Sequence, residues 1–183
     1  CALPICERQA TSQSTTGVHA NSIEDMWQVA IEIAKRAGGD PGKLGLFGPA
    51  TTPDAVKPQR LLVLESQGWA KLDGASKSAF EALVENIARA GVTLVRRKDH
   101  PWIEAFEQSI ADCNYICNTI TAWENSWYQA ALVENYPNGV SERLKATVRR
   151  AQAMKPDDYR ALLLKRDHAQ QCHRAIAPLA DTA

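Results

Sequence analysis

Apolar residues recur along this chain at two different spacings, and the alternation between them predicts its elements. Ile23, Met26, Trp27, Ala30, Ile31 and Ala34 return every three or four positions, the period of one face of a helix, so that face is expected to be buried. Ser22-Ile-Glu-Asp25 supplies the start, with an N-cap hydroxyl and a carboxylate three residues on. Gly38-Gly39 supplies the stop, because glycine takes the left-handed conformation without a Cβ penalty. Before this helix, residues 7–21 are polar and irregular. After it, residues 38–60 hold five Gly and four Pro and read as a long loop.

The period then shortens. Arg60-Leu-Leu-Val-Leu-Glu65 is a short apolar run, the mark of a strand buried on both faces. A loop through Gly68-Trp69 leads to a helix starting near Ser76, with Phe80, Leu83, Val84, Ile87 and Ala88 as its core face and Gly91 as its end. Val92-Thr-Leu-Val-Arg96 is a second strand. Strand, amphipathic helix and strand within residues 60–97 make a βαβ unit, parallel and right-handed if its strands are neighbours. The fold class is therefore α/β, helices covering a sheet, with a helix-rich second half.

That second half runs over residues 100–177. Asp99-His100-Pro101 predicts an N-cap followed by a proline in the first turn, where its missing N–H costs nothing. One helix is expected to carry Ile103, Phe106, Ile110, Cys113, Cys117, Ile120, Trp123 and Trp127. Tyr136-Pro-Asn-Gly139 is a turn. A helix follows from about Ser141 to Met154, and Pro156-Asp-Asp158 opens another reaching about Ala177.

Composition narrows the class. The 183 residues are 45% hydrophobic with five Trp, which excludes a disordered chain and is enough for a sizeable core. Lys and Arg number 21 against 21 Asp and Glu, a balance that argues against a nucleic-acid binder, whose affinity needs excess positive charge. No apolar run approaches the roughly 20 residues that cross a bilayer, so no membrane partner is expected. Five Cys, scattered at 1, 6, 113, 117 and 172, do not form a disulfide framework and point to a reducing, cytoplasmic setting.

Candidate chemistry is sparse. Cys113 with Cys117, and His168 with Cys172, each lie one helical turn apart and would suit a tetrahedral zinc if the two pairs faced each other. Against this, the usual C-x-x-C knuckle is absent, the first pair extends an apolar stripe, and the second sits among Asp167, Gln170, Gln171 and Arg174, a solvated setting. No metal and no cofactor are therefore expected. His100 beside Asp99 has the form of an oriented general base, but a helix cap explains both. Glu124, Glu134 and Glu142 read as solvated carboxylates without partners, and Asn114, Asn118 and Asn125 are left unassigned. The Ser/Thr run at residues 11–16 has hydroxyls but no base nearby. The Gly-rich loop at residues 38–60 is followed by a strand, whereas a phosphate cradle needs a helix N-terminus. No G-x-S-x-G, G-x-G-x-x-G or P-loop occurs. No catalytic or binding residue is assigned on this basis.

The stretch Ser12-Gln-Ser-Thr-Thr-Gly-Val-His-Ala-Asn-Ser-Ile-Glu-Asp25 resembles a segment of the amidase signature family, whose pattern there is S-x-D-x-x-G-x-x-A-R-S-x-x-D. Ser12, Gly17, Ala20, Ser22 and Asp25 match, while Ser14 stands in place of Asp and Asn21 in place of Arg. The later order is similar too. Arg36-Ala-Gly-Gly-Asp-Pro41 resembles the turn after the family's helix, residues 60–66 its next strand, and residues 79–95 the following helix and strand with their "A-G-V" corner. The stretch through Trp123-Glu124 and Asp158-Tyr159 resembles its variable helical region.

The resemblance implies a mixed β-sheet layered between helices and hydrolysis of small carboxamides by a Ser–cis-Ser–Lys triad, without metal or cofactor. In relatives the Lys is the base, the cis-Ser relays the proton and the second Ser attacks the carbonyl, beside an oxyanion hole of backbone N–H groups. All of these precede the segment matched by residues 12–25, so none is carried onto this chain and the 183 residues are expected to be inactive alone. Residues 1–6, Cys-Ala-Leu-Pro-Ile-Cys, resemble a translated sequencing adapter and are expected to be a non-native leader, with residues 7–183 a partial amidase-like domain stopping before the family's last strand. The rival expectation is a non-enzymatic helical module that offers Trp102, Trp123 and Trp127 to a partner.

Overall fold

The computed structural model describes residues 10, 12–13, 17–37 and 48–182. The chain divides into two compact units, one from residues 15–57 and the other from residues 1–14 and 58–183.

In the first unit, helix α1 spans Ile23–Ala37. Ser22 caps it as the capping-box pattern requires, its Oγ accepting from the Asp25 N–H at 3.1 Å. Burial is narrower than the apolar stripe. Ile31 is buried and Trp27, Ala30 and Ala34 are half-buried, but Ile23 is 64% exposed and Met26 38%. What covers the stripe is a short stretch of the loop: the Trp27 indole donates to the Pro49 carbonyl at 2.9 Å. A Cβ on Gly48 would stand 2.9 Å from the Trp27 ring, so that close approach requires glycine. The cover reaches the middle of the helix and leaves its first turn open. The Gly38-Gly39 stop lies outside the described residues.

The second unit holds the parallel βαβ unit. Strand β1 (Arg60–Val63) pairs in parallel with β2 (Thr93–Arg96), Leu62 opposite Val95, with helix α2 (Gly74–Arg89) between them. Both strands are shorter than the apolar runs suggested. Leu62 and Val63, on opposite faces of β1, are both buried, as the unbroken apolar run implied. Thr182 adds a parallel bridge to Leu61 on the other edge of β1. There the Asp181 carboxylate accepts from the backbone N–H groups of Gln59 (2.7 Å) and Arg60 (2.9 Å), which hold it below the usual Asp range.

On α2, Val84 is buried and Phe80, Ile87 and Ala88 are half-buried, whereas Leu83, expected in the core face, is 56% exposed. The helix is pinned elsewhere. Asp73 caps it by accepting from the Ser76 N–H at 2.7 Å, and Glu81 pairs with Arg96 of β2 at 2.8 Å. Leu83 falls outside the buried face. Gly91 ends it at φ 87°, the left-handed region that an L side chain enters at a cost of roughly 1–2 kcal/mol. Gly91→Ala is therefore expected to destabilise this unit by about 1 kcal/mol, read as a lower urea midpoint with an unchanged slope. An unchanged midpoint would refute the strain argument.

The long helix expected after residue 100 is three helices: α3 (Pro101–Ser109), α4 (Cys113–Glu124) and α5 (Ser126–Asn135). Apolar spacing continued across the breaks, but small polar side chains there bond the backbone instead of extending the ladder. The Ser109 hydroxyl donates to the Phe106 carbonyl at 2.6 Å, and the Ser126 hydroxyl to the Trp123 carbonyl at 2.7 Å. Helices α6 (Glu142–Gln152, capped by Ser141) and α7 (Pro156–Ile176) fall where the sequence placed them. One core joins the sheet to α3 and α7 through Leu62, Ile103, Phe106 and Ile176. A second joins α4 and α7 through Ile116, Ile120 and Leu162. Among the described residues, no helix is long and apolar enough to cross a membrane.

Candidate functional site

The most connected polar cluster forms around Glu124, at the last turn of α4. Its carboxylate accepts from the Ser12 N–H at 3.0 Å, from the Ser12 hydroxyl, and from the Tyr159 hydroxyl of α7 at 2.7 Å. Two turns further along α7, Arg166 donates to the Ser12 Oγ at 2.8 Å and to its carbonyl at 3.2 Å. Gln13 donates to the Cys117 carbonyl and to the Thr121 hydroxyl, at 3.0 and 3.1 Å. Tyr159 stacks on Trp123 at 5.6 Å between ring centres. Burial, and then the Glu124 carboxylate beside it, hold the Tyr159 phenol above its ordinary range. Glu124 is thus half-buried with partners, a correction to its reading as a solvated carboxylate. Glu142 also has one, Lys145 at 2.7 Å, while Glu134 is exposed as expected.

The cluster brings a carboxylate to Ser12 from 112 residues away, a pairing that no local spacing announced. Its geometry is nonetheless that of an anchor. A nucleophilic hydroxyl needs a free lone pair and a base that keeps the proton it takes. Here a guanidinium occupies one Oγ lone pair, and both the hydroxyl and the backbone N–H of Ser12 are tied to the Glu124 carboxylate. Thr11 and residues 14–16 of the Ser/Thr run lie outside the described residues.

The other sequence candidates separate. His100 is the N-cap of α3: its Nδ1 accepts from the Trp102 N–H at 3.2 Å, and its ring meets the Trp102 ring edge-on at 4.8 Å. Asp99 accepts instead from the Arg96 N–H at 2.8 Å and closes the short turn before α3. The two are backbone caps. Cys113 and Cys117 are exposed, so they do not extend the buried apolar stripe assigned to them. Cys172 packs against the Leu62–Ile103 core with its Sγ 3.7 Å from His168 Nε2, more buried than its polar neighbours suggested. No group of three or more potential metal ligands occurs among the described residues. Asn125 is buried, and Asn118 donates to Asn114 on the surface of α4.

One charged residue escaped the sequence altogether. Glu107 on α3 is 5% exposed; its carboxylate accepts from the Glu65 N–H and from Arg97 Nε, each at 2.5 Å. It ties the end of β1 to the turn after β2. The one available signal was its spacing from Ile103, four residues earlier, which puts it on the apolar face of α3.

A cleft of about 620 Å³ opens between α4 and α6, lined mainly by polar side chains, with Lys71, Arg143 and Arg150 among them. No family model, curated protein or solved structure matches the chain.

Proposed function

We propose that this chain is part of an amidase-signature hydrolase, cleaving the C–N bond of small carboxamides through a Ser–cis-Ser–Lys triad that the 183 residues do not contain. The observation that carries the reading is the motif Ser12…Asp25 followed in order by a helix, a parallel strand–helix–strand and a helical region. The Ser22 cap and the parallel pairing of β1 with β2 support that order. The bridge of Thr182 to Leu61 is compatible with a sheet that grows beyond two strands. In this reading the sheet is one layer of a helix–sheet–helix core, and the residues described here are scaffold and pocket wall. The parent enzyme would be cytoplasmic and use no metal.

A second reading has a specific observation in its favour. The large exposed apolar side chains all lie on helices or loops, Trp127 (84%) and Trp102 (51%) among them, and none lies on the two strands. A sheet stripped of its neighbours would bare strand side chains, whereas an interaction module bares helical ones.

Two measurements separate these readings. Source DNA sequenced upstream of the Glu7 codon should contain, in frame, a Lys and then a Gly/Ser-rich stretch with two spaced Ser. A start codon there without such a stretch would overturn the amidase reading and leave the helical module. The purified 183-residue chain should release no ammonia from a panel of carboxamides above buffer. Turnover abolished by Ser12→Ala would mean that Ser12 is a nucleophile and that the anchor assignment is wrong.

A further inference from the structure

The cleft between α4 and α6 concentrates positive charge that the rest of the fold leaves unanswered. On α6, Arg143, Thr147 and Arg150 follow one another at four- and three-residue steps, so they share a face. Val148 and Ala151 are the buried residues of that helix, which leaves the arginine face to the cleft. At 1.5 Å per residue the two arginine Cα atoms stand about 10 Å apart along the helix axis. Lys71 enters from the turn Trp69–Lys71. Among the described residues none of these three cations forms an ion pair. Glu142, the nearest carboxylate in sequence, is engaged by Lys145. Among the described residues Asp112 is the one acidic side chain on the cleft wall, and it leaves an excess of positive charge in a concave setting.

We propose that this cleft binds an elongated small molecule with an anionic group at each end. Arg143 and Arg150, two turns apart, take the two anionic ends. Guanidinium groups suit carboxylate and phosphate alike, because each can donate two parallel hydrogen bonds. Lys71 adds charge. The site stands apart from the amidase reading: it needs no amide and no triad, so it can be tested whichever way that reading falls.

The experiment is calorimetric titration of the 183-residue chain at fixed low ionic strength. The probes are 2-hydroxyglutarate, 3-phosphoglycerate and, as a monoanion, acetate. Saturable binding of at least one of the first two, with acetate weaker, is expected. The stronger of the pair identifies whether a second carboxylate or a phosphate is preferred. Arg143→Gln and Arg150→Gln should each weaken binding roughly tenfold, the loss of one charge-assisted hydrogen bond. Arg149→Gln, which removes the same charge from a position outside the cleft, should leave binding unchanged. Circular dichroism of each variant checks that the helices persist. No saturable binding to either two-ended anion, acetate binding as well as they do, or an equal loss in Arg149→Gln would each overturn the proposal.

Discussion

Replacing Glu107 by alanine is expected to lower the stability of the unit containing the sheet by about 2 kcal/mol. The carboxylate is nearly inaccessible and serves two donors, the Glu65 N–H and Arg97 Nε. Removing one member of a buried ion pair costs roughly 3–5 kcal/mol, because the partner is left charged and unpaired. That figure is reduced here because the Arg97 side chain is 46% exposed and recovers water when the partner is lost. The Glu65 N–H, tucked behind α3, recovers less. In a chain of this length 1 kcal/mol moves the melting temperature by roughly 2–4 °C, so a fall of about 4–8 °C is expected. Glu107→Gln keeps an acceptor for the Glu65 N–H and should lose about half as much. Glu104→Ala, on the exposed side of the same helix, should shift the melt by less than about 2 °C. Equal shifts for Glu104→Ala and Glu107→Ala would show that the buried carboxylate does not hold β1 to α3.

Ile103→Ala should cost more, about 3–4 kcal/mol. Ile103 has no exposed surface and lies at the meeting point of Leu62 from β1, Phe106 from its own helix and Ile176 from α7. Truncation removes three carbons from contact and leaves a void that elements from three parts of the chain cannot all move to fill. Ile103→Val removes one methylene and should cost about 1 kcal/mol. The measurement is urea unfolding of both variants, followed by far-ultraviolet circular dichroism. A ratio near one between the two losses would mean that the core relaxes around the site and is not close-packed there.

These two residues differ in how far the sequence announced them. Ile103 is legible: it follows an X-Pro helix start and begins an apolar series at helical spacing. Glu107 is not, because a glutamate in a helix is usually solvated, and only the backbone N–H of Glu65, 42 residues away, gives its burial a reason. Glu124 repeats the lesson. Its sequence neighbourhood offers no partner; Ser12 and Tyr159 reach it from both ends of the chain, and Arg166 holds Ser12. The amphipathic patterns of α1 and α2 were read at the correct places but too generously, since Ile23, Met26 and Leu83 have the right spacing and no cover. Periodicity reports which residues share a face; it does not report how much of that face a neighbour reaches.

What the sequence determined by itself is local. The Ser22, Ser141 and His100-Pro101 helix starts, the Gly91 stop, the Tyr136-Pro-Asn-Gly139 turn and the β-α-β order follow from capping, backbone freedom and periodicity over a few residues, and the structure has them all. The breaks at residues 110–112 and at Asn125 have local partners too, the Ser109 and Ser126 hydroxyls, but were masked by apolar spacing that ran on across them. Tertiary structure alone decided which charges are buried, which hydroxyl meets which carboxylate, and which cations remain unpaired around a cleft. Those outcomes depend on groups brought together from distant parts of the chain. Electrostatic and hydrogen-bond energies are set by separations of a few ångströms, which spacing along a sequence does not encode.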